Sequence, residues 1–329
     1  MIIDEKTGEV LEVLEDKSNS GRVRPWNEKK NNTEKLTEVY KLVDYKKSER
    51  LKHCGSYLEF KAEIDSDKMR LVGGQFCYVR LCPMCGWRRS LKIYSQMSTI
   101  MDYAKKEKEY QYLFLTLTVR NCRGADLDDT IRAMMKAWDR FCKKKIVKDT
   151  ILGWYRGLEI THNLDKTSNA YDTYHPHFHV VLMVGKKYFK GKYINQQEWK
   201  ELWKSAMRLD YDPQVDVRKV KGNTAKAIAE IAKYTVKDND YIIDDDLDLT
   251  VETVKILDKA LARKRLVAFG GRFKEIHKLL NLDDAVDGDL IHVETEEKAD
   301  DEEVRKIAYF WHVGYKKYIK HRENIIKNN

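Results

Sequence analysis

The segment 112–119 reads YLFLTLTV, and its alternation predicts a β-strand with two different faces. One face carries three leucines, and the other carries Phe114, Thr116 and Thr118. Three further segments have the length and composition of strands: 153–161, 177–184 and 214–220.

Apolar residues with a period near 3.6 predict helices between and around these strands. The predicted helices cover 35–52, 90–108, 125–145, 196–209 and 224–240, and a long C-terminal helix covers 302–326. From residue 112 to 240 the order is β-α-β-β-α-β-α. Two consecutive strands favour antiparallel pairing, so we expect an α+β fold, a central, mostly antiparallel sheet with helices in a ferredoxin-like layout.

The same pattern divides the chain into four predicted segments. We expect a mobile tail over 1–34, a helical, cysteine-rich module over 35–108, a sheet core over 109–241 and a mainly helical C-terminal region over 242–329.

Charge changes this picture by suggesting a partner. The 329 residues carry a net charge of +9, but 283–303 holds eleven acids against one lysine, so the remainder carries +19 (+9 minus −10). A basic body favours a polyanion such as nucleic acid. The alternative is a lysine-rich surface that only keeps the protein dissolved. The acidic segment is either a solvated linker or a competitor of DNA for the basic surface.

Targeting signals are absent from the sequence pattern. No run of about 18 apolar residues exists, and the acidic N-terminus lacks a basic-then-apolar leader. We therefore expect a cytoplasmic protein that does not associate with a membrane. Its six cysteines are then reduced or metal-bound rather than paired in disulfides.

Histidines repeat at every second position in 174–184, YHPHFHVVLMV. Strand alternation puts His177 and His179 on one face, with Phe178 facing the core. Two imidazoles at this spacing are typical of a metal site, although surface or hydrogen-bonded histidines are the alternative. Glu159, on the strand before, is the expected third ligand, because an unpaired acid in mid-strand is unfavourable.

Such a mixed set suits Mn²⁺ or Mg²⁺ with positions open for substrate oxygens. His175 is a candidate fourth ligand. For both His175 and His162 three alternatives are open: a fourth metal ligand, a contact to phosphate, or no role at the site.

A polar stripe on the predicted helix 224–240 supplies a chemical partner. Glu230 and Tyr234 are separated by four residues, and Lys237 lies one turn further on. A phenol attacks a phosphodiester if a metal and a cation assist, and a carboxylate one turn away acts as a base. The alternative is an ordinary surface helix with a half-exposed tyrosine.

These motifs together resemble a known family. FLTLT (114–118), HPHFHVVL (175–182) and EIAKYTVK (230–237) are similar, in order, to three motifs of the replication initiator (Rep) proteins of rolling-circle plasmids, within the HUH endonuclease superfamily. Glu230 is similar to the glutamate of the single-tyrosine plasmid subgroup. RLCPMCGWRRSLK (80–92) and RLVAFGGRFKEI (265–276) extend the resemblance to about residues 50–280.

The resemblance implies an HUH fold, related to ferredoxin-like and RRM folds, and sequence-specific, metal-dependent nicking at the double-strand origin. Tyr234 is then the nucleophile that forms a 5′-phosphotyrosine link, and Glu230 activates water for termination. Lys237 balances charge or helps hold the ion. The implied partners are origin DNA, as a single strand or hairpin, and the host helicase and polymerase.

Four cysteines suggest a second, structural metal site. Cys82 and Cys85 form a CxxC knuckle, and Cys54 and Cys77 lie upstream, so four thiolates are available for Zn²⁺. His53 in place of one cysteine and a redox CxxC are the alternatives. Arg88 and Arg89 follow directly and either contact DNA phosphate or are exposed at a helix start.

Two other classes of function fit parts of the pattern. One is a non-catalytic, zinc-containing DNA-binding repressor. The other is a mobilisation relaxase or single-tyrosine transposase, although the tyrosine follows the histidines here, unlike the usual relaxase order. The predicted C-terminal helix either mediates a homodimer or caps the fold.

Overall fold

The structure is a computed structural model that describes residues 2–3, 7–18, 21–64, 68–191, 193–220, 228, 236–293 and 303–327. It divides into two compact units. Unit 1 comprises 1–88 and 289–329, and unit 2 comprises 89–288. This division does not follow the segment boundaries suggested at residues 34, 108 and 241, which stay a prediction.

The described elements are numbered in chain order. The strands are β1 (Ile2–Ile3), β2 (Val10–Leu11), β3 (Tyr57–Glu63), β4 (Met69–Gly74), β5 (Tyr110–Thr118), β6 (Ile151–Asn163), β7 (Thr173–Gly185), β8 (Val215–Lys219), β9 (Val267–Gly271), β10 (Glu303–His312) and β11 (Lys317–Lys327). The helices are α1 (Trp26–Val43), α2 (Tyr45–Lys52), α3 (Pro83–Glu107), α4 (Leu127–Lys143), α5 (Lys145–Thr150), α6 (Gln196–Met207), α7 (Leu247–Leu261) and α8 (Arg272–Leu279).

Unit 2 is built on a five-stranded sheet in the order β8-β5-β7-β6-β9. Its strand pairs are all antiparallel within the described residues. The four strands predicted from alternation are confirmed, and β9 is an addition at one edge. The predicted α+β class with a mostly antiparallel sheet is therefore confirmed.

Both faces of this sheet bury apolar side chains. On one face, Phe178, Val180 and Leu182 of β7 are fully buried, and Trp138 of α4 and Trp203 of α6 pack edge-on against the Phe178 ring. The opposite face carries His177 and His179, and we call it the cluster face. Part of it is covered by a second core, which contains Val181 and Met183 together with residues of α3 and α8. The histidines lie beyond the edge of that core.

Unit 1 contains a four-stranded sheet in the order β11-β10-β3-β4. The long helix predicted over 302–326 is therefore wrong, because this segment forms β10 and β11. Its aromatic and β-branched residues pair with β3, which lies more than two hundred residues earlier. The spacing of Val304 and Ile307 resembles a helix locally, but the distant partner decides the structure.

The predicted mobile tail also differs from the structure. Helix α1 begins at Trp26, and Trp26, Lys30 and Thr33 are buried within unit 1. The predicted helix 35–52 is two helices, α1 and α2, which are separated at Asp44.

Most of the predicted helix 224–240 lies outside the described residues. At its end, residues Asp238–Asp240 form a 3₁₀ turn. A search of the described residues finds no helix long and apolar enough to cross a membrane.

Candidate metal centre and its surroundings

The strand register brings two of the predicted metal ligands face to face. β7 lies between β5 and β6, and Glu159 of β6 pairs directly with His177. His179 pairs with Gly157 on β6 and with Thr116 on β5. Because residues two apart share a face, Glu159, His177 and His179 all lie on the cluster face. We call these three residues the His–His–Glu cluster.

The side chains of this cluster converge on one point. Nε2 of His177 lies 3.1 Å from Nε2 of His179. Oε2 of Glu159 lies 2.8 Å from Nε2 of His179 and 3.4 Å from Nε2 of His177. The grouping predicted from alternation is present in the fold, and its role as a metal site is the subject of a proposal below.

Hydrogen bonds orient both imidazoles. Nδ1 of His177 lies 3.2 Å from the backbone oxygen of His175, and since a carbonyl only accepts, Nδ1 must donate. Nδ1 of His179 lies 3.3 Å from Oγ1 of Thr116. With Nδ1 of His177 protonated, its neutral Nε2 carries a lone pair that points toward Nε2 of His179 and Oε2 of Glu159. A proton on Nε2 of His179 or a bound cation links the three atoms.

Burial strengthens the electrostatic constraint on Glu159. Its side chain is 11% exposed. Burial by itself would raise the carboxyl pKa, but the hydrogen bonds with His177 and His179 hold the pKa of Glu159 well below its usual value. The carboxylate is therefore anionic at neutral pH and lies beside Nε2 of both imidazoles.

The three separations fit a bound divalent ion. Neighbouring ligands around a six-coordinate ion, each about 2.1 Å from it, lie about 3.0 Å apart. The observed separations of 2.8, 3.1 and 3.4 Å bracket that value. Two imidazoles and one carboxylate are also a donor set for Mn²⁺ or Mg²⁺ with positions left for other oxygens.

The two remaining candidate histidines have other contacts. The ring of His175 lies 5.4 Å from that of His177, outside the group of three converging atoms in the described part of the chain. His162 is fully buried, stacks on Tyr174 at 4.3 Å and has Nε2 2.9 Å from Oδ1 of Asp172. Its Nδ1 lies 3.0 Å from the backbone oxygen of Asp240. His162 therefore fixes the chain around Asp240 to β6.

The predicted nucleophile Tyr234 and its partner Glu230 lie outside the described residues. Their described neighbours bracket them. Ile228 is 2% exposed and belongs to the core on the cluster face. Asp240 is tied to His162, three residues beyond Glu159 on β6. Lys237 is exposed at the start of the 3₁₀ turn, and the converging atoms do not include its side chain.

A groove lies beside His179 at the β8 edge of the sheet. Its volume is about 620 Å³, its lining mixes polar and apolar surface, and its charged residues are Lys200, Arg218, Asp212 and Asp216. It adjoins the converging atoms on the side of β5 and β8.

The four cysteines of unit 1 also come together. Sγ of Cys54 lies 3.6 Å from Sγ of both Cys82 and Cys85, and Sγ of Cys77 lies 3.7 Å from that of Cys85. All four are buried and none is in a disulfide. Sulfurs held tetrahedrally about 2.3 Å from Zn²⁺ lie about 3.8 Å apart. These positions fit a metal ion bound by four thiolates, and His53 is not part of the group.

The surroundings of this four-cysteine cluster favour a thiolate at Cys82, whereas burial raises the pKa of the Cys54 and Cys77 thiols well above the usual value. Burial would raise the thiol pKa of Cys82, but hydrogen bonds from the neighbouring cysteines hold it well below its usual value. The buried Lys30 donates to the backbone oxygen of Cys54 at 3.0 Å. Oγ1 of Thr33 lies 3.7 Å from Sγ of Cys82. A cation and a hydroxyl therefore adjoin the sulfurs.

Arg88 and Arg89 are placed differently from the prediction. The guanidinium of Arg88 is buried and donates to the backbone oxygens of Leu290 and Ile291 at 2.9 and 2.7 Å. Arg89 donates to the backbone oxygen of Val286 at 3.0 Å. Both side chains hold the polypeptide in place, so the expectation that they contact DNA phosphate or are exposed at a helix start is corrected. Nothing in the CxxC-WRR sequence predicts that carbonyl oxygens of Val286, Leu290 and Ile291 bind these two arginines.

Comparison with known proteins decides the family. The replication protein family matches residues 68–319. The chain belongs to this family. A "Protein rep" of Bacillus amyloliquefaciens is 42% identical over 93% of this chain and 97% of its own length. A "Protein rep" of Streptococcus pneumoniae is 37% identical, covering 93% of this chain and 95% of its own length.

A further "Protein rep", from a Bacillus species, is 45% identical over 75% of this chain and 85% of its own length. No solved structure matches. Membership in the replication protein family confirms the resemblance to plasmid replication initiators that the ordered motifs indicated. It also favours replication over repression, mobilisation or transposition.

Proposed function

We propose that this replication initiator nicks one strand of plasmid origin DNA by metal-dependent transesterification, with Tyr234 as the nucleophile. The observation that carries the proposal is the convergence of His177, His179 and Glu159 on one point of the sheet. A replication protein needs a 3′ end for synthesis, and a nick at the origin provides one.

The His–His–Glu cluster would hold Mn²⁺ or Mg²⁺. When bound, such an ion polarises the scissile phosphodiester and offsets the negative charge that develops on it. The anionic carboxylate and the convergence of both Nε2 atoms on it support this assignment, because no described cation lies among them. The proposal needs no further ligand, although His175 is close enough in sequence to be tested.

The described residues around Tyr234 support its part in the reaction. Ile228, six residues before it, is buried in the core of the cluster face. Asp240, six residues after it, is bound through its carbonyl to His162 on the same strand as Glu159. Three residues of a strand span about 10 Å. We expect a tyrosine between these two anchors to reach a phosphate at the cluster.

The chemistry balances without a second nucleophile. The phenol oxygen of Tyr234 bonds to phosphorus and loses its proton, while the bond from phosphorus to the 3′ oxygen breaks and that oxygen takes up a proton. The products are a 5′-phosphotyrosine and a free 3′-OH that primes synthesis. Glu230 then removes a proton from water for the terminating cleavage. Lys237 balances charge near the reacting phosphate.

The single strand is the substrate form that this site favours. A phosphate inside paired DNA is held away from the largely buried cluster side chains, whereas an unpaired loop of a hairpin can enter the groove beside His179. The expected partners are therefore origin DNA in single-stranded or hairpin form, followed by the host helicase and polymerase, which act on the nicked product.

The four-cysteine cluster is proposed to bind a structural Zn²⁺. Four buried sulfurs at tetrahedral separations in unit 1, with no position left for a substrate, support a structural ion. Its expected contribution is to the stability of unit 1.

Conversion of supercoiled plasmid to open circles tests this function. The protein is incubated with Mn²⁺ and a plasmid that carries the cognate origin, or with a matched plasmid that lacks it. We expect open circles only with the origin plasmid, and none with Tyr234→Phe or after removal of the ion with EDTA. Equal nicking of both plasmids, or full nicking by Tyr234→Phe, contradicts the proposal.

A further inference from the structure

The loop between β7 and α6 combines exposed aromatic rings with a dense positive charge. Residues 185–194, which we call the aromatic loop, read GKKYFKGKYI and hold four lysines and no acid. Phe189 is 38% exposed and Tyr193 is 53% exposed. Lys187 and Lys190 are exposed beside them. Both rings pack edge-on against Tyr188, at 4.9 and 5.7 Å between centroids, yet more than a third of each residue stays exposed beside the lysines.

Hydrogen bonds hold the described residues of this loop, which exclude Lys192, in an ordered turn. Tyr188 is buried, and its hydroxyl donates to the backbone oxygen of Ile194 and accepts from the backbone N–H of Ile194, both at 3.1 Å. The N–H of Lys190 donates to the oxygen of Lys187 at 2.9 Å. The exposed rings are thus presented by an ordered turn, so a ligand that stacks on them loses little loop entropy.

The ring geometry defines where a ligand can stack. The centroids of Phe189 and Tyr193 are 5.8 Å apart with an angle of 37° between the planes, so the two rings already contact each other. Nζ of Lys219 lies 4.8 Å from the centroid of Phe189. A planar group therefore stacks on the outward surfaces of the rings rather than between them, next to an ammonium group.

The aromatic loop adjoins the path that leaves the candidate metal centre. Lys219 ends β8, the edge strand, and follows Arg218, which lines the groove beside His179. Asp216 of β8 pairs with Thr116, the residue hydrogen-bonded to His179. Three residues of strand separate Asp216 from Lys219, which is about 10 Å. Strand alternation puts Lys219 on the face of β8 opposite to Asp216 and Arg218, so a DNA strand bound in the groove reaches the loop by passing around this edge of the sheet.

We propose that the aromatic loop binds single-stranded DNA, with bases stacked on Tyr193 and Phe189 and phosphates neutralised by Lys187 and Lys190. Charge complementarity selects a polyanion, and the exposed rings select one with unpaired bases, because paired bases offer no free face. The inference rests on the proposed function only for the source of that strand, which is the unpaired origin DNA.

Binding of short oligonucleotides tests the surface without nicking. Anisotropy of a labelled single strand of about 12 nucleotides is measured in EDTA, together with the matching duplex. Replacing both rings, Phe189→Leu with Tyr193→Leu, is expected to weaken single-strand binding about 5- to 100-fold and to leave duplex binding within about twofold, because base stacking is lost. Tyr193→Phe keeps the ring and is expected to bind as the wild type does.

The lysines give a second, independent readout. Replacing Lys187 and Lys190 by glutamine is expected to lower the slope of log affinity against log salt by about 1.4, which is about 0.7 per lost phosphate contact on a single strand. The matched control replaces Lys145 and Lys148 of α5, two exposed lysines with the same spacing in the same unit. Their replacement is expected to leave the slope unchanged.

Each contrary result has a defined meaning. Single-strand affinity that stays within about twofold in the ring variant overturns the inference, and so does an equal loss for single strand and duplex, which indicates a purely electrostatic or duplex surface. If the double variant does not fold, Tyr193→Leu alone is measured and is expected to weaken binding about fivefold. If wild type nicks origin DNA but the rings have no effect, only this inference fails. If the rings matter but wild type never nicks, the proposed function fails instead.

Discussion

The carboxylate of Glu159 lies closer to His179 than to His177, although its backbone pairs with His177. Oε2 is 2.8 Å from Nε2 of His179 and 3.4 Å from Nε2 of His177. Gly157 stands opposite His179 on β6, so no side chain there prevents the diagonal contact. The carboxylate consequently serves both imidazoles, which is the arrangement that one bound ion requires.

Neutralising that carboxylate tests the proposed ion. Glu159→Gln keeps the size of the side chain but removes its charge, so we expect Mn²⁺ affinity to fall at least tenfold. Mn²⁺ titration followed by electron paramagnetic resonance measures this. His175→Ala is the matched comparison and is expected to bind Mn²⁺ within about twofold of wild type. Unchanged affinity in Glu159→Gln, or a large loss in His175→Ala, would require a different ligand set.

The hydroxyl of Thr116 is predicted to tune the same ion through His179. Thr116→Val preserves the shape of the side chain but removes the atom that lies 3.3 Å from Nδ1 of His179. Loss of such an outer contact weakens metal binding by about 10- to 100-fold. Mn²⁺ titration is again the measurement, and Thr116→Ser, which restores the hydroxyl, is expected to recover most of the affinity. Equal affinities for the valine and serine variants would show that the contact does not orient the imidazole.

Removal of one thiolate tests the four-cysteine cluster. We expect one zinc per purified chain by elemental analysis, and we expect Cys82→Ser to lose that zinc and to lower the midpoint of thermal unfolding by several degrees. Cys142 lies outside the cluster, so Cys142→Ser is the control and should keep the metal. The wild-type chain is purified under reducing conditions. If it contains no metal and still remains folded, a structural zinc is contradicted.

Replacing Glu230 is expected to impair the terminating cleavage while leaving the initiating nick intact. Glu230→Ala keeps Tyr234, so we expect the first nick to proceed at a rate within a few fold of wild type. Release of closed single-stranded circles should fall at least tenfold, because water is no longer activated for the second cleavage. Both products are quantified on gels during one round of replication. Normal release of circles by Glu230→Ala would remove this residue from the mechanism.

Local pattern was sufficient for much of the fold and for the grouping at the cluster. Alternation placed Leu113 and Thr116 on opposite faces of β5, and the spacing of His177 and His179 needed only strand geometry. Glu159 was predicted as the third ligand because an unpaired acid in the middle of a strand is energetically unfavourable. The contact of Thr116 with His179 had a signal in the polar face of FLTLT, but the register that pairs β5 with β7 has no local signal in the sequence.

Other features depended on partners that are distant in the chain. The segment 303–327 has apolar spacing compatible with a helix, and only its pairing with β3 makes it two strands. Arg88 has the context of an exposed helix start, but Leu290 and Ile291 supply carbonyls that bury it. The tie between His162 and Asp240 likewise joins residues that are 78 positions apart, with β7, α6 and β8 between them. Such contacts have no local signature.

The most direct test of the central claim is a covalent link between the protein and origin DNA. A single-stranded origin oligonucleotide, labelled on the 3′ side of the nick, is incubated with the protein and Mn²⁺ and then separated in SDS. The account predicts a labelled adduct that survives SDS, is attached to Tyr234 by peptide mass mapping and is absent from Tyr234→Phe. Failure of wild type to form an adduct on either origin strand, or an adduct that persists in Tyr234→Phe, would contradict it.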